Sequence, residues 1–163
     1  MFDTLTVIAY LLGNKPGHST QLHLQAQFLE KQNLVCVVQN AQSPQLRWKG
    51  VPPEASSLAL IIKDAKTLKN TEKPHYYWVV YNLPVAVTAL PFGGNNQMTS
   101  HDEGINSWGQ KNYHSLCLGN TAHPVTIELV ALDKRFSARE PMTGEILEQK
   151  IKGHVLAKAI VQR

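Results

Sequence analysis

Two apolar runs frame the stretch "IIKDAKTLKNTEKPHYYWVVYNLP", residues 61–84, and these runs decide the fold class. The first run begins just before this stretch and covers Leu58–Ile62, and the second covers Trp78–Tyr81. Both have the length of a strand and show no alternation of apolar and polar residues, which is typical of strands covered on both faces of a sheet. The polar segment between them is therefore either a functional site or a solvated loop between two buried strands.

Further strand-like runs occur on both sides of this stretch, separated by turns rich in Pro, Gly, Asn and Ser. They are "QLHLQAQFL" (21–29), "LVCVVQ" (34–39) and "VTIELVAL" (125–132), while "HVLAKAIVQ" (154–162) fits a strand or a helix. Residues 141–153 predict a helix with Thr143 as its N-cap, an apolar face of Ile146, Leu147 and Ile151, and Gly153 at its end. With 163 residues and no internal repeat or linker, the sequence predicts one mainly β domain over residues 1–163.

The first residues, "MFDTLTVIAYLLGNKPG", carry an apolar run short enough for the core of a signal peptide. Asp3 precedes that run, no Lys or Arg does, and no A-x-A-like cleavage site follows. Leu5, Ile8 and Leu12 fit one face of a helix that Asp3 would cap, so we predict a helix and lead-in over residues 1–20 of a cytoplasmic protein. No apolar run approaches the ~20 residues of a membrane span, so integral membrane association is not expected.

Composition argues against several functions. The net charge of +4 comes without a basic stripe, so no nucleic-acid partner is predicted. The seven His and two Cys show no metal-ligand spacing, so neither a metal nor a cofactor is predicted. His114, Ser115, Cys117 and His123 are residue types found in nucleophilic catalysis, but types without geometry assign no catalytic residue. The sequence therefore favours a protein that is not an enzyme.

Several segments, taken together and in order, resemble the phosphatidylethanolamine-binding proteins, and among them the bacterial Raf-kinase-inhibitor-like branch. They are "SPQLRWKGVPPEASSLALIIKD" (43–64), "YYWVVYNLP" (76–84), "LPFG" (90–93), "NYHSLCLG" (112–119), "HPVTIELVALD" (123–133) and "GHVLAKA" (153–159). The resemblance implies a large antiparallel sheet packed on a smaller sheet, with Greek-key connections and a few peripheral helices. It also implies a cavity that binds phosphate or the phosphoryl head group of a phospholipid.

The resemblance places six residues of this chain around that cavity as a ligand-binding set. They are Asp64, Tyr77, Trp78, Tyr113, Cys117 and His123. The pocket motifs are altered while the framework motifs remain: Tyr77 stands where the family has a His, Lys66 where it has an Asp, and Pro124 where it has an Arg. These changes remove donors that would hold a phosphate oxygen, so weakened or altered anion binding is predicted. His75 lies two positions before Tyr77, on the same face of a strand, and can substitute for the missing imidazole.

The resemblance thus favours a non-enzymatic binding or regulatory protein with a small phosphorylated or other anionic ligand, or a protein partner. Two alternatives stay open. One is an inhibitor of a kinase or serine protease that acts through its surface, with the lysine segment Lys63–Lys73 meeting an acidic partner unless that segment is simply solvated. The other is a hydrolase that uses Asp64 and His123. Relatives also imply a homodimer, and the family pattern leaves open whether Cys36 and Cys117 form a disulfide.

Overall fold

The fold is built from short and long strands and one helix, in a computed structural model that describes residues 4–5, 8–10, 21–28, 41–65, 73–94, 100–118, 121–122 and 124–163. In chain order the elements are β1 (Thr4–Leu5), β2 (Ile8–Tyr10), β3 (His23–Gln27), β4 (Gln45–Lys49), β5 (Ser57–Asp64), β6 (Tyr76–Leu83), β7 (Ala89–Leu90), β8 (Asp102–Glu103), β9 (Cys117–Leu118), β10 (Thr121–Ala122), β11 (Val125–Leu132), α1 (Gly144–Lys150) and β12 (Val155–Gln162). The long runs of the sequence become the longest strands, β5, β6, β11 and β12.

Two sheets carry most of the strands. The larger has six strands in the order β2-β12-β11-β5-β6-β8, and the smaller has four in the order β1-β3-β4-β7; β9 and β10 form a separate hairpin. Neighbours in each sheet are antiparallel. Within the larger sheet β5, β6 and β8 lie side by side in chain order, with β7 of the small sheet between β6 and β8 along the chain, and β11 then returns to lie beside β5, as in a Greek key. The predicted fold class is confirmed, with α1 as the helix found within the described ranges.

Both faces of the large sheet are covered by apolar side chains. Leu60 and Ile62 of β5 face the small sheet and pack in the main core with Leu24 and Leu46. Alternate residues of β5 point to the other face, where a second core lies under α1, with members that include Ala59, Ile61, Met142 and Leu147. Burial on both faces explains why β5 and β6 read as continuous apolar runs rather than as alternating ones.

Helix α1 begins and ends close to where the sequence places it. The Thr143 Oγ1 accepts the backbone N–H of Ile146 at 3.3 Å, and Gly153, with φ of +80°, follows the C-terminus. Of its predicted apolar face, Leu147 is buried, but Ile146 is 38% exposed and does not pack on the sheet. None of the helical residues in the described ranges forms a segment long and apolar enough to cross a bilayer.

The helix predicted over residues 1–20 is wrong where the structure describes that segment. Thr4–Leu5 and Ile8–Tyr10 are strands, β1 paired with β3 in the small sheet and β2 paired with β12 in the large one. The edge strands of a sheet have unpaired backbone N–H and C=O groups, and β1 and β2 pair with these groups. Over so few residues, these backbone hydrogen bonds outweigh the weak preference for a helix that the apolar spacing indicated. The rest of residues 1–20 and the strand predicted at 34–39 lie outside the described residues. Of residues 154–162, for which the sequence fitted either a strand or a helix, Val155–Gln162 form the strand β12.

Candidate functional site

A β-bulge at the start of β6 brings Tyr77 to the end of β5. Ile62 pairs with Trp78 and Lys63 pairs with Tyr76, so Tyr77 is an extra residue between two ladder pairs. Adjacent strand residues normally point to opposite faces, but Tyr77 and Trp78 both enter the main core, while Tyr76 points to the other face. The bulge therefore turns the Tyr77 phenol toward Asp64, which ends β5.

Asp64 is the centre of a compact polar cluster. Its Oδ1 accepts the Tyr77 hydroxyl at 2.8 Å, and its Oδ2 accepts the His75 backbone N–H at 2.9 Å and lies 2.9 Å from His75 Nδ1. Burial alone would raise the pKa of Asp64, but the hydrogen bonds from His75 and Tyr77 outweigh it and hold the pKa below its usual range. The carboxylate is thus ionised at neutral pH, and both of its oxygens are already hydrogen-bonded within the protein.

A tight loop fastens a tryptophan next to this cluster. Buried Asn106 accepts the backbone N–H groups of Trp108 at 2.9 Å and Gln110 at 3.1 Å, and its Nδ2 donates to the Asn112 carbonyl at 3.0 Å. The hydroxyl of Ser107 accepts the Tyr76 N–H at 2.8 Å, and the Ser107 N–H donates to the Tyr76 carbonyl at 3.0 Å. The loop thus forms hydrogen bonds with the backbone of Tyr76, next to the bulge, and this fixes the position of Trp108 relative to the bulge.

The Trp108 ring packs against three side chains. It stacks on His114 with centroids 3.6 Å apart and planes 5° apart, and it lies 5.4 Å from the Tyr77 ring and 5.7 Å from the His75 ring. The His114 N–H donates to the Tyr77 carbonyl at 2.9 Å, which holds this histidine beside the bulge. Sequence reasoning assigned no role to Trp108, and the signal that could have found it is the turn chemistry of "NSWG", where Gly109 has a φ of +75°.

The other predicted site residues divide into core residues and residues that the structure does not describe in full. Trp78 and Tyr113 meet edge to face with centroids 6.0 Å apart, both buried in the main core, and the Trp78 indole N–H donates to Glu103 at 3.0 Å. Cys117 lies in β9, with its side chain outside what is described, and His123 lies outside the described residues. Cys36, which the family pattern leaves open as a disulfide partner of Cys117, also lies outside them. Within the described ranges, no three His, Cys, Asp or Glu side chains come close enough to hold a metal ion.

The opposite face of the sheet, behind Asp64, carries a network of paired charges. Lys63 Nζ contacts the carboxylates of Glu148 and Glu128, Lys158 Nζ lies 2.7 Å from Glu128 Oε2, and the Tyr76 hydroxyl donates to Glu148 Oε2 at 2.7 Å. Lys63 was predicted to belong to an exposed basic segment, and this is wrong, because its side chain is only 9% exposed and points under α1. The charged members of this network line a groove of about 630 Å³ between α1 and the outer face of β11 and β12, and Asp64 also lines it where β5 ends.

The network shifts the pKa values of its members in the directions that keep it charged. Burial would lower the pKa of Lys63, but the Glu148 carboxylate bound to it and the charge of Glu128 raise it overall. Burial would likewise raise the pKa of Glu148, but the hydrogen bonds from Lys63 and Tyr76 lower it. Burial and the neighbouring Glu148 raise the pKa of Tyr76, so its phenol stays protonated as a donor.

Fold and site together define a mainly β protein with two packed sheets and a polar cluster at the ends of two central strands. The family model described as phosphatidylethanolamine-binding protein matches residues 19–162, and the chain belongs to this family. This agrees with the motifs from which the resemblance was inferred, all of which fall within the matched range.

Relatives and solved structures give the same result. Proteins named UPF0098 from Chlamydia muridarum and from Methanothermobacter thermautotrophicus are each 34% identical, covering 72% of this chain and 77% and 78% of their own lengths. The crystal structure of a phosphatidylethanolamine-binding protein homologue from Chlamydia trachomatis has a TM-score of 0.64 at 31% identity, covering 74% of this chain and 78% of that one. Escherichia coli YbcL, at 22% identity and a TM-score of 0.68 over 82% of this chain and 87% of its own, shares the fold.

Proposed function

We propose that this protein is a non-enzymatic binding or regulatory member of its family in which the phosphoryl-anion site is weakened. The observation that carries the proposal is the hydrogen bond from the Tyr77 hydroxyl to Asp64. A phenol has a single proton to donate, and here that proton is directed at a carboxylate of the protein. The group that stands in place of the family's His therefore does not offer this proton to a phosphate.

The charges of the cluster also disfavour an anion. Asp64 is ionised and its side chain is 13% exposed, so a phosphate beside it needs cationic or hydrogen-bonding donors that offset this like charge, which water screens poorly. Pro124 occupies the position at which the resemblance implies an Arg, so a fixed cation with a bidentate donor set is absent from that position. The partners that Asp64 has instead are an imidazole and a phenol, His75 and Tyr77.

The same hydrogen bonds argue against the hydrolase alternative. A general base needs a lone pair aimed at its substrate and a pKa near the working pH. Asp64 has a lowered pKa, and each of its oxygens already accepts a hydrogen bond from within the protein, so it is a weak base. We expect no turnover in an esterase and phosphatase screen; activity that disappears in Asp64→Asn would instead assign a catalytic role.

Titration with inorganic phosphate and with phosphoethanolamine, followed by calorimetry and NMR, tests the proposal. We expect the wild-type protein to bind with a dissociation constant of ~1 mM or weaker, equivalent to about 4 kcal/mol. Tyr77→His and Tyr77→Phe form a matched pair, because both free Asp64 Oδ1 from the phenol but only the His supplies a new donor. We expect tighter binding in Tyr77→His alone. Micromolar binding by the wild type that is lost in Asp64→Asn would refute the proposed weakening.

Inhibition of a kinase or serine protease through the surface is the alternative function. Its support from the lysine segment is reduced, since Lys63 is buried, although Lys73 is exposed; Lys66 and Lys69 lie outside the described residues. Pull-down with the charges of Lys66 and Lys69 reversed tests it, and loss of a captured partner would favour this alternative.

Cytoplasmic location and a homodimer belong to the same proposal; the N-terminal sequence, without the features of a signal peptide, supports the first, and the family resemblance supports the second. Cell fractionation tests the location, and light scattering coupled to size exclusion measures the mass in solution. A monomer at micromolar concentration would remove the dimer from the proposal.

A further inference from the structure

Glu148 of α1 binds a pair of residues that directly precedes the Asp64 cluster on the neighbouring strands. We propose that Glu148 is a positioning residue for that cluster, coupling α1 on one face of the large sheet to the candidate site on the other face. This inference deepens the proposed function and rests on it for its functional meaning, but the coupling itself is a property of the fold.

The register of β5 and β6 places the coupled groups next to one another. Lys63 and Tyr76 are cross-strand partners, and they are the last ladder pair before the bulge residue Tyr77. On the side of this pair away from the bulge, the next backbone bond runs from the Asp64 N–H to the His75 carbonyl, at 3.0 Å. Each residue of the pair that Glu148 binds is thus the chain neighbour of a residue that builds the cluster.

Glu148 uses both carboxylate oxygens on that pair. Oε1 contacts Lys63 Nζ, and Oε2 accepts the Tyr76 hydroxyl at 2.7 Å. The carboxylate therefore bridges two side chains on adjacent strands and holds them at a defined distance from each other. Glu128 supports the arrangement from β11, with its Oε1 3.2 Å from Lys63 Nζ.

Tyr76 has little room to adjust if Glu148 changes. Its side chain is 3% exposed, and its ring lies so close to Gly144 that a Cβ at that glycine would come within 2.0 Å of Tyr76 Cδ1. The backbone N–H and C=O of Tyr76 are both bonded to Ser107, whose neighbour is Trp108. A displacement of Tyr76 is therefore transmitted to the two structures that flank Asp64, the bulge and the tryptophan loop, because closely packed groups move together.

NMR titration of the Asp64 side-chain carboxyl and the His75 ring measures the coupling without any ligand. In Glu148→Gln the amide oxygen still accepts from Tyr76, but the charge that holds Lys63 is lost. We expect the looser hydrogen bonds to Asp64 to raise its pKa by more than the loss of the Glu148 charge lowers it, so that the acid dissociation constant of Asp64 falls about threefold, half a pKa unit. Glu140→Gln is the matched control, since it removes the exposed ion pair with Lys150, 2.7 Å long, and is expected to leave Asp64 unchanged.

Tyr76→Phe provides a second variant in case Glu148→Gln is poorly folded. It deletes the other bond of Glu148 without changing charge, and we expect the same direction of change at Asp64. The double variant should shift Asp64 by less than the sum of the two single variants, because both act through one carboxylate. An Asp64 titration that stays at its wild-type position in folded Glu148→Gln and Tyr76→Phe overturns the coupling and leaves Glu148 with a stabilising role only.

The outcome is separable from that of the proposed function. Tight phosphate binding by the wild type would overturn the proposed weakening while leaving the Glu148 titrations to decide the coupling. Conversely, weak phosphate binding with an unresponsive Asp64 would uphold the proposed function and reject the positioning role.

Discussion

Replacing Tyr77 by Phe isolates the hydrogen bond on which the candidate site depends. Tyr77 is completely buried, and Phe has the same shape without the hydroxyl, so the change leaves Asp64 Oδ1 without this donor and opens no large cavity. A hydrogen bond to a charged group contributes about 1.5–3 kcal/mol to stability. We expect the lower end of that range, because Asp64 keeps its bonds from His75 and remains in partial contact with water.

The pH dependence of this loss distinguishes it from a packing defect. The folded-state pKa of Asp64 lies below the ordinary value of 3.8, so its stabilisation is fully present above that value and disappears as the pH falls through the folded-state pKa. In Tyr77→Phe the folded-state pKa moves back toward the ordinary value. The cost of the substitution should therefore be constant near neutral pH and should shrink at pH values below the ordinary Asp pKa.

Urea denaturation at several pH values is the assay, with Tyr81→Phe as the matched control. Tyr81 is also buried in β6, but it belongs to the second core on the opposite face of the sheet. We expect its substitution to leave the Asp64 titration unchanged. Equal, pH-independent losses in the two variants would show that the Tyr77 hydroxyl does not act through Asp64.

Three further substitutions test the framework around the site by urea denaturation. Glu128→Leu removes one partner from two ion pairs and should cost about 3–5 kcal/mol, whereas Glu140→Gln, in an exposed pair, should have no measurable effect; equal effects would contradict the buried network. Gly144→Ala should cost about 1–3 kcal/mol although Ala favours helix, because its Cβ meets Tyr76, and a stabilised variant would exclude that contact. Asn106→Ala should cost about 1–3 kcal/mol and change the fluorescence of the loop tryptophan; an unchanged spectrum would mean that the loop keeps its position without the Asn106 side chain.

The arrangement of the long strands could be predicted from the sequence, because a strand buried on both faces appears as a continuous apolar run. The runs at 58–62 and 78–81 contain no alternation, and the structure places them at the centre of a sheet covered on both sides. The N-terminal strands were not accessible in this way. Thr4–Leu5 and Ile8–Tyr10 are too short to show a period, and their pairing is decided by free sheet edges far away in sequence.

The site could be predicted only in part. The resemblance placed Asp64 and Tyr77 at one cavity, but it did not predict their hydrogen bond, because the direction of the Tyr77 side chain depends on a bulge that no local sequence pattern indicates. For Lys63 the sequence suggested only that it belongs to a basic segment that is solvated or meets an acidic partner. Its burial depends on Glu128 and Glu148, which are 65 and more positions away and meet it only in the folded sheet.

Because Tyr77 is an extra residue in β6, the strand can lose one residue beside the polar cluster without a change in the pairing of its other residues. Deleting that one residue would join the Lys63–Tyr76 and Ile62–Trp78 pairs into a continuous ladder, without moving either pair to another face. The register between β5 and β6 shifts a second time between Leu58 and Leu60, opposite Asn82, which has a φ of +55°. After this shift Leu83, near the end of β6, again points into the main core. Between these two irregularities Trp78, Val79 and Val80 pair in regular register with Ile62, Ile61 and Leu60, so a change of length at residue 77 would leave the hydrophobic layers on either side of β6 in place.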